Sequence, residues 1–174
     1  MINLWLDTIV LWIHILAAIS WVGGMIFVAF IVGPYVRRAF PPAERIPLMA
    51  AVGKRFSYLG WSAIFTLVCT GIYNAVRFLR SWDALLNTTF GHILLVKLSL
   101  VAVMIGLSIA HDFFLGPRQR DLGRQLRQTK PPDLEHAPAA KALQRLRRWT
   151  VLIAQMNLLL GVLVILLAAS LQSF

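Results

Sequence analysis

Four long apolar runs alternate with shorter polar stretches along the chain, at roughly 5 to 33, 56 to 79, 91 to 114 and 149 to 170. At about 1.5 Å rise per residue each can cross roughly 30 Å of hydrocarbon as a helix. The pattern predicts an all-α protein, a four-transmembrane-helix bundle forming one integral membrane domain over residues 1–174. No basic residue precedes the first run and no small-residue cleavage pattern follows it, so it is expected to be a retained helix rather than a signal peptide.

The polar stretches set the expected boundaries. Gly33-Pro34 is expected to close the first helix, and Pro41-Pro42 to force an extended turn before Arg45 to Arg55 lead into the second. After the third helix, GPRQRDLGRQLRQ predicts a short surface helix with Leu122 and Leu126 on one side, stopped by Pro131-Pro132. The stretch KALQRLRRW runs on into the fourth helix.

Charge then orients the chain. Residues 34–55 hold five Lys or Arg against one Glu, a net +4, and residues 115–148 hold nine against three acids, a net +6. Between the second and third helices stand only Arg80 and Asp83, and near the start only Asp7. Basic loops stay on the cytoplasmic side, so 34–55 and 115–148 are expected to be cytoplasmic and both termini to face the outer, periplasmic side. The expected location is the bacterial inner membrane, crossed several times. Composition agrees: the chain is 59% hydrophobic and 14% charged, with mean hydropathy +0.73, which excludes an ordinary soluble domain. The net charge of +10 lies in the loops, where anionic lipid headgroups rather than nucleic acid are the expected partner. The single cysteine, Cys69, cannot form an intrachain disulfide.

Polar residues inside the apolar runs are the candidates for chemistry. Lys97 lies seven residues inside GHILLVKLSLVAVMIGLSIAHDFF and needs a partner at its depth. Counting from the outer ends groups it with His14 on the first helix, Arg77, Tyr73 and Asn74 on the second, and His92 on the third. Ser62, Thr66, Thr70, Asn74 and Arg77 recur every three or four residues, a polar stripe expected to face the other helices. His14 and Trp21 share a face, as do Lys97, Met104 and His111, whereas His92 points roughly 140° from Lys97. His111 lies nineteen residues from His92, roughly 28 Å along a helix, too far to share one metal. His136 falls in a hydrophilic loop and is expected to be solvated. Met25, Met104 and Met156 have no second soft ligand one turn away and read as core filler. Trp5, Trp82 and Trp149 mark helix ends, as an aromatic belt does.

Three occupants fit such an outer-half pocket. Haem b would take imidazole as an axial ligand, from His14 with His92 or His14 with Lys97, and basic side chains such as Arg77 at its propionates. Copper would be held by His14 and His92, a set of only two imidazoles. A quinone or another anionic small molecule would hydrogen-bond to Lys97 and His14. A second copy of the chain, as a homodimer, could complete a site that one chain leaves incomplete.

The stretches HILAAISWVGGMIFVAFIVGP, RFSYLGW, LVCTGIYN, GHILLVKLSLV and HDFFLGPR, in this order, resemble the four-helix form of the copper-resistance D family. The resemblance covers most of the chain and implies a membrane domain concerned with copper. The chain is also similar to the four-helix membrane protoporphyrinogen oxidase group, whose members bind haem b and have a first-helix histidine and a third-helix lysine, matched here by His14 and Lys97. It departs from that group at Gly91-His92, where a tryptophan-containing histidine motif is typical, so that reaction does not carry over. The reading placed first is a haem b-binding inner-membrane protein with a redox or electron-transfer role toward a quinone or an outer-side partner, which would make it a membrane oxidoreductase. The alternative is a copper-transport or copper-resistance protein using the outer-half histidines. A third class is a structural subunit whose polar residues merely join helices.

Overall fold

The computed structural model describes residues 2–78, 82–128 and 138–170. Arg80, Pro131, Pro132 and His136 lie outside them, as do the side chains of Trp82 and Asp83. The elements are α1 (Ile2–Phe27), α2 (Gly33–Ala39), α3 (Pro42–Phe78), α4 (Trp82–Asn87), α5 (Thr89–Ile109), α6 (Gly116–Gln128) and α7 (Pro138–Ser170). Two π-helical stretches, Val28–Val32 and Ala110–Leu115, join α1 to α2 and α5 to α6. The described residues contain no strand.

Among the described residues four stretches are long and apolar enough to span a membrane: Leu4–Ala39, Glu44–Arg77, Thr89–Leu126 and Ala140–Ala169. Only 11–17% of the most apolar window in each is buried, and Leu4, Trp5, Phe30, Phe65 and Leu159 point outward almost bare. So much uncovered apolar surface needs a hydrocarbon solvent, and helices satisfy their backbone groups within themselves there. The chain is a multi-pass membrane protein.

The helices run further than the apolar runs predict. Gly33-Pro34 does not end the first span; the helix continues to Ala39. A proline within an α-helix abuts the carbonyl four residues back, which is Phe30 for Pro34 and Phe113 for Pro117. In both places the preceding turn widens to π geometry, with the Gly33 amide donating to Val28 O and the Gly116 amide to His111 O, so the helix passes the ring. Gly33 suits this turn because a Cβ there would press to 3.2 Å of Val28 O. The break comes at Phe40 instead, whose extended backbone (φ −122°, ψ 145°) is the conformation that Pro41 enforces on its predecessor. Arg45 Nε donates to Phe40 O at 2.7 Å across the turn, and Tyr35 meets Phe40 edge to face at 6.1 Å. The stretches 34–55 and 115–148 are therefore largely helical, within α2, α3, α6 and the start of α7.

The chain divides into two compact units, one built on the residues up to Val96 and the other on Lys97–Ala168. In the first, α1 packs on α3. Ala17, Trp21 and Val22 of α1 are buried, as are Ala63 and Ile64 of α3. The close approach depends on small residues. A Cβ on Gly24 would come within 2.5 Å of the Phe56 ring, and one on Gly60 within 3.8 Å of the Trp21 indole. In the second unit Met104 is 1% exposed and Asn157 is buried. Asn157 Nδ2 donates to Ser108 Oγ at 3.1 Å, joining α7 to α5. Gln119 donates through Nε2 to Thr150 Oγ1, joining α6 to α7.

Candidate functional site

The α1/α3 pair carries its polar residues in a seam. Asp7, His14 and Trp21 are seven residues apart on α1, and Arg77 and Thr70 are seven apart on α3. Seven residues make two helical turns, so each set shares a face, and an antiparallel pair matches the two sets member by member.

At the N-terminal end of α1, Asp7 accepts from Arg77 twice, Nε to Oδ1 at 2.9 Å and Nη2 to Oδ2 at 2.5 Å. Tyr73 Oη donates to the same Oδ1 at 2.7 Å. The two-pronged geometry is the strong form of a carboxylate–guanidinium pair, and the phenol adds a third donor. The Asp7 and Arg77 side chains remain 29% and 44% exposed, so this cluster is open at the helix end rather than sealed.

Two turns further along α1, about 10 Å, half-buried His14 meets α3. Its Nδ1 lies 2.7 Å from Thr70 Oγ1. The Thr70 hydroxyl gives its own proton to Thr66 O at 2.6 Å, so toward His14 it acts as acceptor. Nδ1 of the neutral ring is then the protonated nitrogen and Nε2 carries the lone pair. A hydroxyl that fixes the tautomer and aims the ring is what an imidazole ligand requires of its neighbours. Gly71 lies under the ring, where a Cβ would stand 3.5 Å from His14 Cε1.

The polar stripe of α3 therefore faces α1 through Thr70 and Arg77. Ser62 and Thr66 instead return their hydroxyls to their own helix, at Tyr58 O and Ser62 O, both 2.9 Å. Arg77 is engaged by Asp7, which leaves its fork less to offer a propionate. His92 stands in the first turn of α5 with its imidazole exposed. Thr88 caps that turn, accepting from the Gly91 amide at its Oγ1 and from the His92 amide at its carbonyl, both at 3.0 Å. Lys97 is half-buried on α5 in the second unit. His111 pairs with its neighbour Asp112 at 2.7 Å inside the π-helical stretch. Among the described residues no group of three or more His, Cys, Asp or Glu side chains could hold a metal ion. The structure thus brings Asp7, Tyr73 and Arg77 together, and His14 with Thr70, whereas among the described residues no hydrogen bond ties His92 to either group, and Lys97 belongs to the other unit. Asp7 and Asn157 were not among the residues that the sequence singled out. The signal for Asp7 was its spacing of seven from His14, and for Asn157 its place as an amide within an apolar run.

A family model described as CopD, copper resistance protein D, matches residues 50–171. The match contains Arg77, His92 and Lys97 and begins beyond His14. An uncharacterised protein of Aquifex aeolicus is 31% identical over 109 residues, which cover 62% of this chain and 69% of that protein. Inner membrane protein YebZ of Escherichia coli is 30% identical over 108 residues, 62% of this chain and 35% of YebZ. Copper transport protein CutJ of Bacillus subtilis is 30% identical over 111 residues, 64% of this chain and 19% of CutJ. The chain thus matches about a third of YebZ and a fifth of CutJ. No solved structure matches.

Proposed function

The chain belongs to the copper resistance protein D family, and on that premise we propose that this multi-pass membrane protein handles copper in the bacterial inner membrane, as a transport or resistance protein with the ion as cargo. The observation that carries the reading is the family match over residues 50–171. The relation to CutJ and to YebZ supports both the cargo and the membrane. Copper is the occupant these relationships name, and haem b, which the sequence placed first, gives way to it.

The residue we assign to the ion is His14. Imidazole is a suitable ligand for copper, and the Thr70 hydroxyl makes Nε2 the coordinating nitrogen. One imidazole holds an ion weakly, which suits cargo that must leave again. His92, exposed at the start of α5, is the second histidine on the route and would act as a ligand at the helix end rather than within the seam. The Asp7–Arg77–Tyr73 cluster fixes the end of the pair and adds a carboxylate beside the route. Four spans return the chain to its starting side, and the basic stretches support an orientation with both termini outside.

The test is copper accumulation in proteoliposomes that hold a copper chelator inside. Purified protein is expected to raise accumulation well above that of protein-free vesicles. Accumulation no greater than in empty vesicles, with the protein folded and inserted, refutes the reading. A haem absorption band retained through purification would return the haem reading to first place.

A further inference from the structure

Within the second unit, α6 and α7 enclose a surface groove of about 530 Å³ lined by Arg118, Leu122, Lys141, Arg145, Leu146 and Trp149, with Ala142 between them. We propose that this groove is a binding site for one anionic phospholipid, with the headgroup phosphate among Arg118, Lys141 and Arg145 and the first methylenes of an acyl chain along Leu122, Leu146 and Trp149. The site is separate from the copper reading and stands without it.

Charge complementarity is the first ground. Among the described residues three cationic side chains line the groove and no acidic one does. None of the three forms an ion pair with a described residue. Arginine offers a planar fork of donors to phosphate oxygens and lysine a point charge, the mixture that a phosphodiester requires.

Position is the second. Along α7 the sequence changes at Trp149 from KALQRLRR to TVLIAQMNLLL, so the groove ends within a turn of side chains that belong in hydrocarbon, with Val151 and Leu152 exposed. Trp149 is itself 53% exposed and stands where the basic sequence gives way to the apolar one, the setting an indole prefers at a membrane interface. A free phosphate would use the cations and leave the apolar floor bare. A soluble acidic peptide would meet the three cations but bring no acyl chain to Leu122, Leu146 and Trp149. The lipid alone satisfies both halves of the lining.

The third ground is that the groove is built rather than transient. Gln119 of α6 hydrogen-bonds Thr150 of α7, and Thr150 donates in turn to Leu146 O at 3.0 Å, so the two walls are joined just beside it. Its volume falls in the range of small-molecule sites.

The experiment uses the full chain, delipidated in a neutral detergent, with phosphatidylglycerol brominated near the headgroup end of its chains as the probe. Trp149 emission is isolated by subtracting the spectrum of Trp149→Phe. Brominated phosphatidylglycerol is expected to quench it at low mole fraction, brominated phosphatidylcholine only at about tenfold more or higher, and millimolar inorganic phosphate to leave the quenching unchanged. Removing Arg118, Lys141 and Arg145 together (each →Ala) should weaken the effect at least about tenfold. Removing Arg120, Arg124 and Arg147, which carry the same charge on the same helices outside the lining, should weaken it far less. If the triple variant unfolds, as judged by helical circular dichroism, Lys141→Glu alone serves, with a loss of several-fold expected. Equal loss in both triple variants would reduce the site to diffuse surface charge, displacement by phosphate would make it a soluble-anion site, and displacement by an acidic peptide would make it a protein-docking groove. Any of these overturns the proposal.

Discussion

The two units join their helices in different ways. In the first, the contacts across α1 and α3 are ionisable: Asp7 with Arg77 and Tyr73, and His14 with Thr70. In the second they are neutral: Asn157 with Ser108, and Gln119 with Thr150. Both units hold the same backbone device, a π-helical stretch ahead of Gly-Pro, at Val28–Val32 and at Ala110–Leu115. Neutral interhelical hydrogen bonds are sufficient to hold membrane helices together. Placing a carboxylate, a guanidinium and an imidazole in one seam costs more, and such groups within spans mark routes for ions. The difference places the ionisable contacts between helices in the first unit, while the ionisable groups of the second, Lys97 and the His111–Asp112 pair, join no two helices.

Breaking the charged contact should have the largest effect. Asp7→Ala removes the acceptor of three hydrogen bonds at once and leaves Arg77 without its counter-ion, so the thermal midpoint in detergent should fall further than for any single neutral-contact variant. Arg77→Met in the same background should recover part of that loss, since the uncompensated charge is then gone as well. A double variant no better than Asp7→Ala would mean that the unpaired Arg77 carries no penalty of its own and that the loss comes from the broken contact alone.

Next in size is the close approach in the same pair. Gly24→Ala drives a methyl to about 2.5 Å of the Phe56 ring, and overpacking of this kind costs about 1–3 kcal/mol. Chemical denaturation of the variant measures it, and Phe56→Leu introduced alongside should relieve the strain. The smallest effect belongs to the second unit. Asn157→Leu loses the hydrogen bond to Ser108, and neutral bonds between membrane helices are worth about 0.6 kcal/mol on average. A loss larger than that of Gly24→Ala would reverse the comparison between the units.

Much of the fold could be read along the chain. The four apolar runs fall on the four candidate spans, and the spacing of Thr70 and Arg77 on one stripe anticipates the face that α3 turns to α1. The helix ends were less legible, for a physical reason. Gly33-Pro34 and Gly116-Pro117 have the residues of a helix stop, and only a shift in hydrogen-bond register over the preceding turn carries the helix past them. That shift is a property of the backbone with no side-chain signature. The partner of Arg77 was hidden differently. Asp7 lies seventy residues away and meets it only once the depths of two antiparallel helices are matched. Lys97 drew notice as a lone amine in an apolar run, while Asp7, near the start of its helix, was read only as part of the charge balance.

The proposed passage of copper by His14, in the charged seam of the first unit, is open to a decisive measurement: copper uptake by vesicles holding matched amounts of two variants. His14→Ala is predicted to lose most of the uptake, and Asn157→Ala to keep nearly all of it. Equal uptake by the two variants, with both folded and inserted, would contradict the claim.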